Sequence, residues 1–268
     1  MIRAYLFLLL LCSTAFATNQ LPWFGNVWEF EWRPGYTFYQ GKSSTVPNEG
    51  SRVNQTLSNS LALTVWPQWN IETELLLTHT LDIDFAYEAF LITGRYQWLD
   101  DVVGDPIALT TGATASFPGN RFTHLFHFFY PGDINIELHT ALGKQWPIDP
   151  CNIWAKRVWG YAAIGFANRG SPWLRARLAY DQHFSKCGSI ELFTHYLYGW
   201  GSDSLPTLQP FTGFSSIAYR ALDLGAAGNY RLGVFGTFSL EGTYNLYAEK
   251  YPEHSYAIKA SLLIPFSL

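Results

Sequence analysis

Apolar and polar residues alternate along most of this chain with a period of two, the mark of strands with one apolar and one polar face. Over Val27–Gln40, Trp28, Phe30, Trp32, Tyr36 and Phe38 share one face, and Glu29, Glu31, Arg33 and Thr37 share the other. Arg52–Trp66 sets Leu57, Leu61, Leu63 and Val65 against Thr56, Ser58, Ser60 and Thr64. Trp69–Thr80 sets Ile71, Leu75 and Leu77 against Glu72, Glu74 and Thr78. Asp105–Phe117, Asp133–Trp146, Pro172–Phe184 and Val234–Glu249 repeat the pattern, and the last strand aligns Tyr256, Ile258, Ala260, Leu262, Ile264, Phe266 and Leu268. Asp84–Trp98, Asn152–Ala167, Gly188–Trp200 and Phe214–Arg231 are less regular but keep strand composition. In the last of these the apolar phase slips near Leu222–Leu224, which predicts a β-bulge. Twelve strands follow over Val27–Leu268. No stretch of helical period competes, and no linker or second domain is visible.

Three features separate a membrane barrel from a soluble sandwich. The strands run to a dozen residues or more, whereas soluble strands average ~5–6 and a tilted membrane strand needs ~9–11. Eight of the eleven Trp lie at or near strand ends: Trp28, Trp66, Trp69, Trp98, Trp146, Trp154, Trp173 and Trp200. Such rings favour the headgroup level of a bilayer. The connections near Gly41–Ser51, Pro118–Gly132 and Gly201–Gly213 are long, while others, such as Pro67–Gln68 and Leu232–Gly233, are tight.

The N-terminus reads as an export signal. Met1–Ile2–Arg3 is a positive start, Tyr5–Leu11 an apolar run too short to span a bilayer, and Ala15–Phe16–Ala17 a cleavage site. Residues 1–17 are therefore expected to be removed, leaving 18–26 as a short periplasmic segment before the barrel at 27–268. Lipidation at Cys12 would want a small residue before it, and Leu11 is not small.

With its signal peptide, twelve alternating strands and amphipathic last strand ending Phe266–Ser267–Leu268, the chain resembles the Gram-negative outer-membrane β-barrel proteins along its whole length. The resemblance implies an all-β fold, a closed antiparallel transmembrane β-barrel of about twelve strands, with both termini in the periplasm. It also implies outer-membrane lipid and lipopolysaccharide as surroundings, and barrel-assembly machinery that reads the terminal strand. In that class the last residue is usually aromatic; here it is Leu, with Phe266 two places earlier on the same face.

Composition narrows the function classes. Charged residues are 14% and aromatics 18% of the 268 residues, and the net charge is −4. Such a chain is neither disordered nor a nucleic-acid binder, which would carry a basic excess. A mean hydropathy near zero excludes a bundle of membrane helices.

The polar faces should line the lumen. They hold Glu29, Glu31, Arg33, Glu72, Glu74, Arg95, Glu137, Arg175, Arg177, Asp181, Glu191, Glu241 and Lys259. Fixed charges of both signs suit a pore for small polar solutes. Alternatively they pair off and plug a lumen narrower than that of 16–18-stranded porins, leaving a structural or adhesive role to the loops. A third alternative is a lipid-modifying hydrolase of the phospholipase or lipid A deacylase type, which needs a nucleophile beside a His. His183, Asp181 and Ser185 share a face, but i, i+2 neighbours stand ~7 Å apart. His139 and His195 fall on inward faces of other strands. No catalytic spacing is recognisable, and no cofactor or metal site is expected.

The loop Pro118–Gly132 carries Arg121, His124, Phe126, His127 and Phe128. Its aromatics favour an inward constriction, a contact with lipopolysaccharide or a partner, or packing on the barrel's own rim. Cys151 and Cys187 sit at turns roughly two strand spacings apart, ~10 Å. A disulfide needs Cα atoms within ~7 Å, so a bridge requires the turns to lean together; otherwise the thiols are free or paired with another molecule.

Overall fold

The computed structural model describes residues 20–42, 52–125, 128–147, 154–202, 214 and 217–267. The alternation places twelve strands. β1 is Glu29–Lys42, β2 Arg52–Trp66, β3 Trp69–Thr80 and β4 Ala86–Leu99. β5 is Ala108–Pro118, β6 Asn135–Pro147, β7 Trp154–Ala167 and β8 Trp173–His183. β9 is Gly188–Gly199, β10 Tyr219–Arg231, β11 Thr237–Glu249 and β12 Glu253–Ser267.

Each strand pairs antiparallel with its chain neighbours, and β1 pairs with β12 to close the barrel. Closure leaves no strand edge with unpaired N–H and C=O groups, a condition that a lipid environment imposes. The seam is reinforced from outside. Phe30 stacks on Phe266 with ring centroids 5.3 Å apart, and the Tyr256 hydroxyl donates to Gln40 Oε1 (2.6 Å).

The outward face is apolar and exposed: Leu57, Leu61, Ile71, Ile136, Leu138, Leu178 and Leu192 among many. At the end that carries the termini, Trp28, Trp66, Trp69, Trp98 and Trp146 form an exposed aromatic rim. Trp173, expected in such a rim, instead turns inward and is 2% exposed. The reason is register. Gly165 stands opposite it on β7, and the indole lies over the space where a side chain at Gly165 would be. Inside, the indole N–H donates to Glu137 Oε1 (2.7 Å).

Several strands begin later than the periodicity predicts, most of all β10, at Tyr219 rather than Phe214, and two of the late starts have a local reason. The strand expected from Asp105 begins at Ala108, because Asp100 and Asp105 close a turn: the Asp100 amide donates to Asp105 Oδ2 (2.8 Å). The strand expected from Val234 begins at Thr237, since Gly233–Phe235 form a 3-10 turn between two glycines of positive φ. The bulge expected near Leu222–Leu224 lies on the neighbouring strand instead: opposite Leu222 and Asp223 the register skips Leu246 of β11, while β10 itself pairs with β9 without a shift. A second shift, between Leu76 and Leu77, inserts Glu88 as an extra residue of β4.

Leu178 sits at the middle of β8 on the outward face. Leu178→Arg is expected to cost about 2–4 kcal/mol, the penalty of a cation at the bilayer midplane. Reversible denaturant unfolding of the refolded barrel in lipid vesicles measures it. A loss below about 1 kcal/mol would place Leu178 near an interface instead.

Candidate functional site

The same alternation that makes the outside apolar turns a polar row from every strand inward. The interior divides into three levels, named here from the termini end.

At the termini end a piece of the chain itself enters the barrel. The segment expected at residues 18–26 is described from Gln20, and Gln20–Phe24 lies inside the mouth. Leu21 and Trp23 pack on inward Trp159, Tyr161, Phe193 and the small residues Ala141, Ala163, Ala179 and Ala227. Polar groups of the wall hold the segment. Arg95 Nη1 donates to the Leu21 carbonyl (3.1 Å), and Gln97 Nε2 to the Pro22 carbonyl (3.3 Å). The Trp23 indole donates to Asp101 Oδ1 (2.7 Å). The guanidinium of Arg157 lies over the Trp23 ring and that of Arg95 over Phe24, each about 5 Å from the centroid. The chain leaves the lumen through Trp28, whose φ of 62° is unusual for a bulky residue. The Trp28 amide donates to the Thr64 carbonyl (2.9 Å), and Asn26 Nδ2 to Glu29 Oε2 (2.7 Å).

The middle level is a belt of charges. On one side run Glu31, Arg33, Glu72 and Arg95, linked at 3.4, 3.8 and 4.0 Å. Arg95 also donates to Asn70 Oδ1 (2.7 Å), its cross-strand partner. On the other side Arg157 binds Asp181 (2.9 Å), and Arg177 binds Glu191 (2.5 Å) and reaches Glu241 (3.7 Å). Arg175 pairs with Glu137. Lys259 is within electrostatic reach of Glu241 and Glu74. Neither Glu74 carboxylate oxygen has a hydrogen-bond partner among the described residues, although the side chain is buried.

Small inward residues make these bridges possible. Glu137 and Arg175 lie on β6 and β8 and meet over β7, where their partners are Gly165 and Ala163. Arg177 reaches Glu241 across β10, where Ala227 stands between Glu191 and Glu241. Gly112 separates Arg95 from His139, and a side chain there would collide with both. The thirteen candidate lumen residues thus occupy one connected interior, with Glu29 at its mouth.

The upper level is a chamber roofed by the aromatic loop after β5. Phe122, Phe128, Phe129 and Tyr130 are buried. Phe129 packs on Trp173, Phe214 and Tyr219, with ring centroids 5.0–5.7 Å apart. The Tyr130 hydroxyl donates to Glu88 Oε1 (2.7 Å), and the other Glu88 oxygen accepts from Thr56 and Thr78. Phe128 thus points inward, while Arg121 and His124 are exposed. Phe126 and His127 lie outside the described residues. Beneath the roof is a cavity of about 130 Å³.

Three functional candidates escaped the periodicity: Glu88, Asp223 and Gln20–Phe24. Glu88 is itself the extra residue of a bulge, where the inward–outward count breaks, and Asp223 faces a bulge on β11 and is held by Asn245 Nδ2 (2.8 Å). The unbroken parity of Asp223 with Ala221 and Ala227 was its available signal. For Gln20–Phe24 the sequence offered only a Pro-Trp-Phe cluster next to the first strand.

The histidines show no hydrolase arrangement among the described residues. His183 Nδ1 is 3.1 Å from the Ser185 carbonyl oxygen, and the Ser185 hydroxyl accepts from the Cys187 and Gly188 amides. His139 and His195 pack beside Tyr161 and Phe193. No group of His, Cys, Asp and Glu among the described residues is placed to hold a metal. Cys187 is exposed, and Cys151 lies outside the described residues.

No protein-family model and no curated protein matches the sequence. Solved structures do match the fold. An outer membrane channel from Pseudomonas putida F1 superposes with a TM-score of 0.62 at 10% identity, covering 94% of this chain and 100% of that one. The NanC porin gives 0.53 at 12% identity, covering 87% and 98%. The translocator domain of the autotransporter NalP from Neisseria meningitidis gives 0.52 at 11%, covering 91% and 90%. At these identities the likeness speaks for the fold. The chain has the fold of the outer-membrane β-barrel proteins, in its closed, twelve-stranded, antiparallel form.

Proposed function

We propose that this protein is an outer-membrane channel for small polar solutes whose resting lumen is occupied by its own chain at both ends. The termini face the periplasm and the aromatic loop faces outward. One observation carries the reading: the termini-end mouth is filled by peptide rather than by wall side chains alone. Eight strands make an interior that side chains fill, and 16–18 leave water. Twelve strands leave an intermediate bore, here taken up by Gln20–Phe24. Cleavage after Ala17, expected from the sequence but falling on residues outside those described, would make that peptide the free N-terminus of the mature chain. A free end can leave a mouth more readily than an internal loop can.

The charge belt supports the same reading. A polar solute crossing a low-dielectric sleeve needs fixed groups to replace its water. Arg33, Glu72, Arg177, Glu191 and Glu241 supply donors and acceptors in series along the wall. Adjacent charges of both signs favour dipolar and zwitterionic solutes over a single ion sign. The porin and the channel among the structural neighbours are consistent with passage through such a bore.

The test is single-channel recording of the refolded chain in planar bilayers, with heat-modifiable gel mobility as the check of folding. Deleting Gln20–Phe24 is expected to raise the step size several-fold and lengthen the open time. Trp23→Ala, which removes both the indole–Asp101 bond and the ring beneath Arg157, should shift opening in the same direction by a smaller amount. Phe128→Ser combined with Phe129→Ser should widen the opposite end and raise conductance further in the deletion background. A folded deletion carrying both loop substitutions that still gives no steps would overturn the channel reading.

A further inference from the structure

The upper chamber has a chemistry that passage of polar solutes alone does not require. Its lining includes Tyr39, Tyr130, Tyr251, Phe128, Phe129 and Asp223. Tyr39 and Tyr251 each lie within electrostatic range of Asp223. Three carboxylates border the space. Glu241 is reached by Arg177, whereas Asp223 and Glu88 are held by neutral donors: Asn245 for one, Thr56, Thr78 and Tyr130 for the other. No Arg or Lys among the described residues pairs with either. The acids and bases of the belt below do meet. Arg175, which also borders the chamber, is taken by Glu137, and Glu241 by Arg177. The chamber is therefore an aromatic pocket with surplus negative charge above a belt whose arginines are each paired with a carboxylate.

We infer that this chamber is a binding site for a small organic cation, with the Asp223 carboxylate as counter-ion and the tyrosine and phenylalanine rings around its apolar part. The ring faces carry negative quadrupole density and attract cations with apolar shells, the arrangement that recognises quaternary ammonium groups. A strongly hydrated metal ion would gain little from such walls. Size agrees: about 130 Å³ is close to the ~150 Å³ cavity that takes a benzene ring. Glu88 ties this site to the loop. Its carboxylate holds the Tyr130 hydroxyl, so the roof and the second acid move together. As a statement about the permeant the inference rests on the channel reading; as a statement about binding it does not.

The experiment compares choline with its uncharged isostere 3,3-dimethyl-1-butanol on the refolded chain in detergent micelles, above neutral pH. Calorimetry and saturation-transfer NMR report binding. Choline is expected to bind saturably and the alcohol about tenfold more weakly or less, the scale of one carboxylate or cation–π contact. Asp223→Asn, nearly isosteric, should weaken choline by about tenfold and leave the alcohol unchanged. Tyr251→Leu, at the tip between β11 and β12, is a second variant outside the strands and should also weaken choline. Equal binding of choline and the alcohol, or unchanged choline affinity in Asp223→Asn, would overturn the inference. If Asp223→Asn fails the gel-mobility check, the wild-type comparison and Tyr251→Leu decide. Conductance of the same preparations separates the two readings. Charge-selective binding without channel steps sinks the channel and keeps the site; steps without charge-selective binding do the reverse.

Discussion

In a bilayer no water is at hand to pair a backbone amide or carbonyl, so each must be paired within the protein. The pairing of β1 with β12 meets that demand, and most of what is distinctive here follows from it. Once the sheet is closed, the pleat divides every strand into an outer and an inner row. The outer row has to be apolar, and it is. The inner row can then hold the chain's polar groups, but at a bore where several of them are cut off from bulk water. Buried charges are tolerated when paired. The belt from Glu31 through Arg95, and its counterpart from Arg157 to Glu241, is the result.

Pairing across a cylinder raises a problem of reach. Neighbouring strands stand ~4.8 Å apart, and a long side chain beside another long one blocks both. The inner row solves this by thinning some strands, β5, β7 and β10. Gly112, Ala163, Gly165 and Ala227 present little or nothing to the lumen, and Arg175 and Arg177 extend over two of these gaps. Aromatic rings use the same gaps differently. Trp173 lies over Gly165, Tyr219 over Gly199 and Phe193 over Gly225. Rings that would crowd an upright position lie flat against the wall, and the bore stays open enough for a peptide to enter.

Much of this was legible in the sequence because period two is a strong signal when both faces are occupied. The strand number, the outward Leu and Ile rows, the inward hydroxyl row of β2 and the inward acids and bases of β3 and β8 follow from counting alternate residues. Counting fails where the register changes. Glu88 is an extra residue in β4, so parity could not assign it a face. Asp223 keeps the inward parity of Ala221 and Ala227, but β10 carries small and apolar residues on both faces and its alternation is faint. Trp173 failed for another reason: its position at a strand end favours a membrane rim, but the glycine opposite it on the neighbouring strand offers a better-packed home, and cross-strand partners are not visible without register. Gln20–Phe24 has no periodicity at all. Its place is dictated by groups more than seventy positions away, Arg95, Gln97 and Asp101, and local sequence is silent about such contacts.

The wall and its contents are held by different kinds of interaction, and this sets how each behaves. Every strand is secured by a continuous ladder on both sides, so removing one breaks two ladders at once. The N-terminal segment is held by side-chain contacts, among them Arg95 and Gln97 to carbonyls and Trp23 to Asp101, by two rings under guanidinium groups, and by the packing of Leu21 and Trp23 on the wall. With no backbone ladder among these contacts, local opening of the segment costs less than disturbing the barrel. The segment also joins the wall through Trp28 in a left-handed conformation, a strained backbone at the junction of segment and wall. The loop roof is better secured, since Phe129 is wedged among Trp173, Phe214 and Tyr219 and Tyr130 is bonded to Glu88. The two ends are therefore unequal. The termini-end segment is the part of the interior with the fewest ties to the wall, and the roof over the chamber is the part fixed by the most ring contacts.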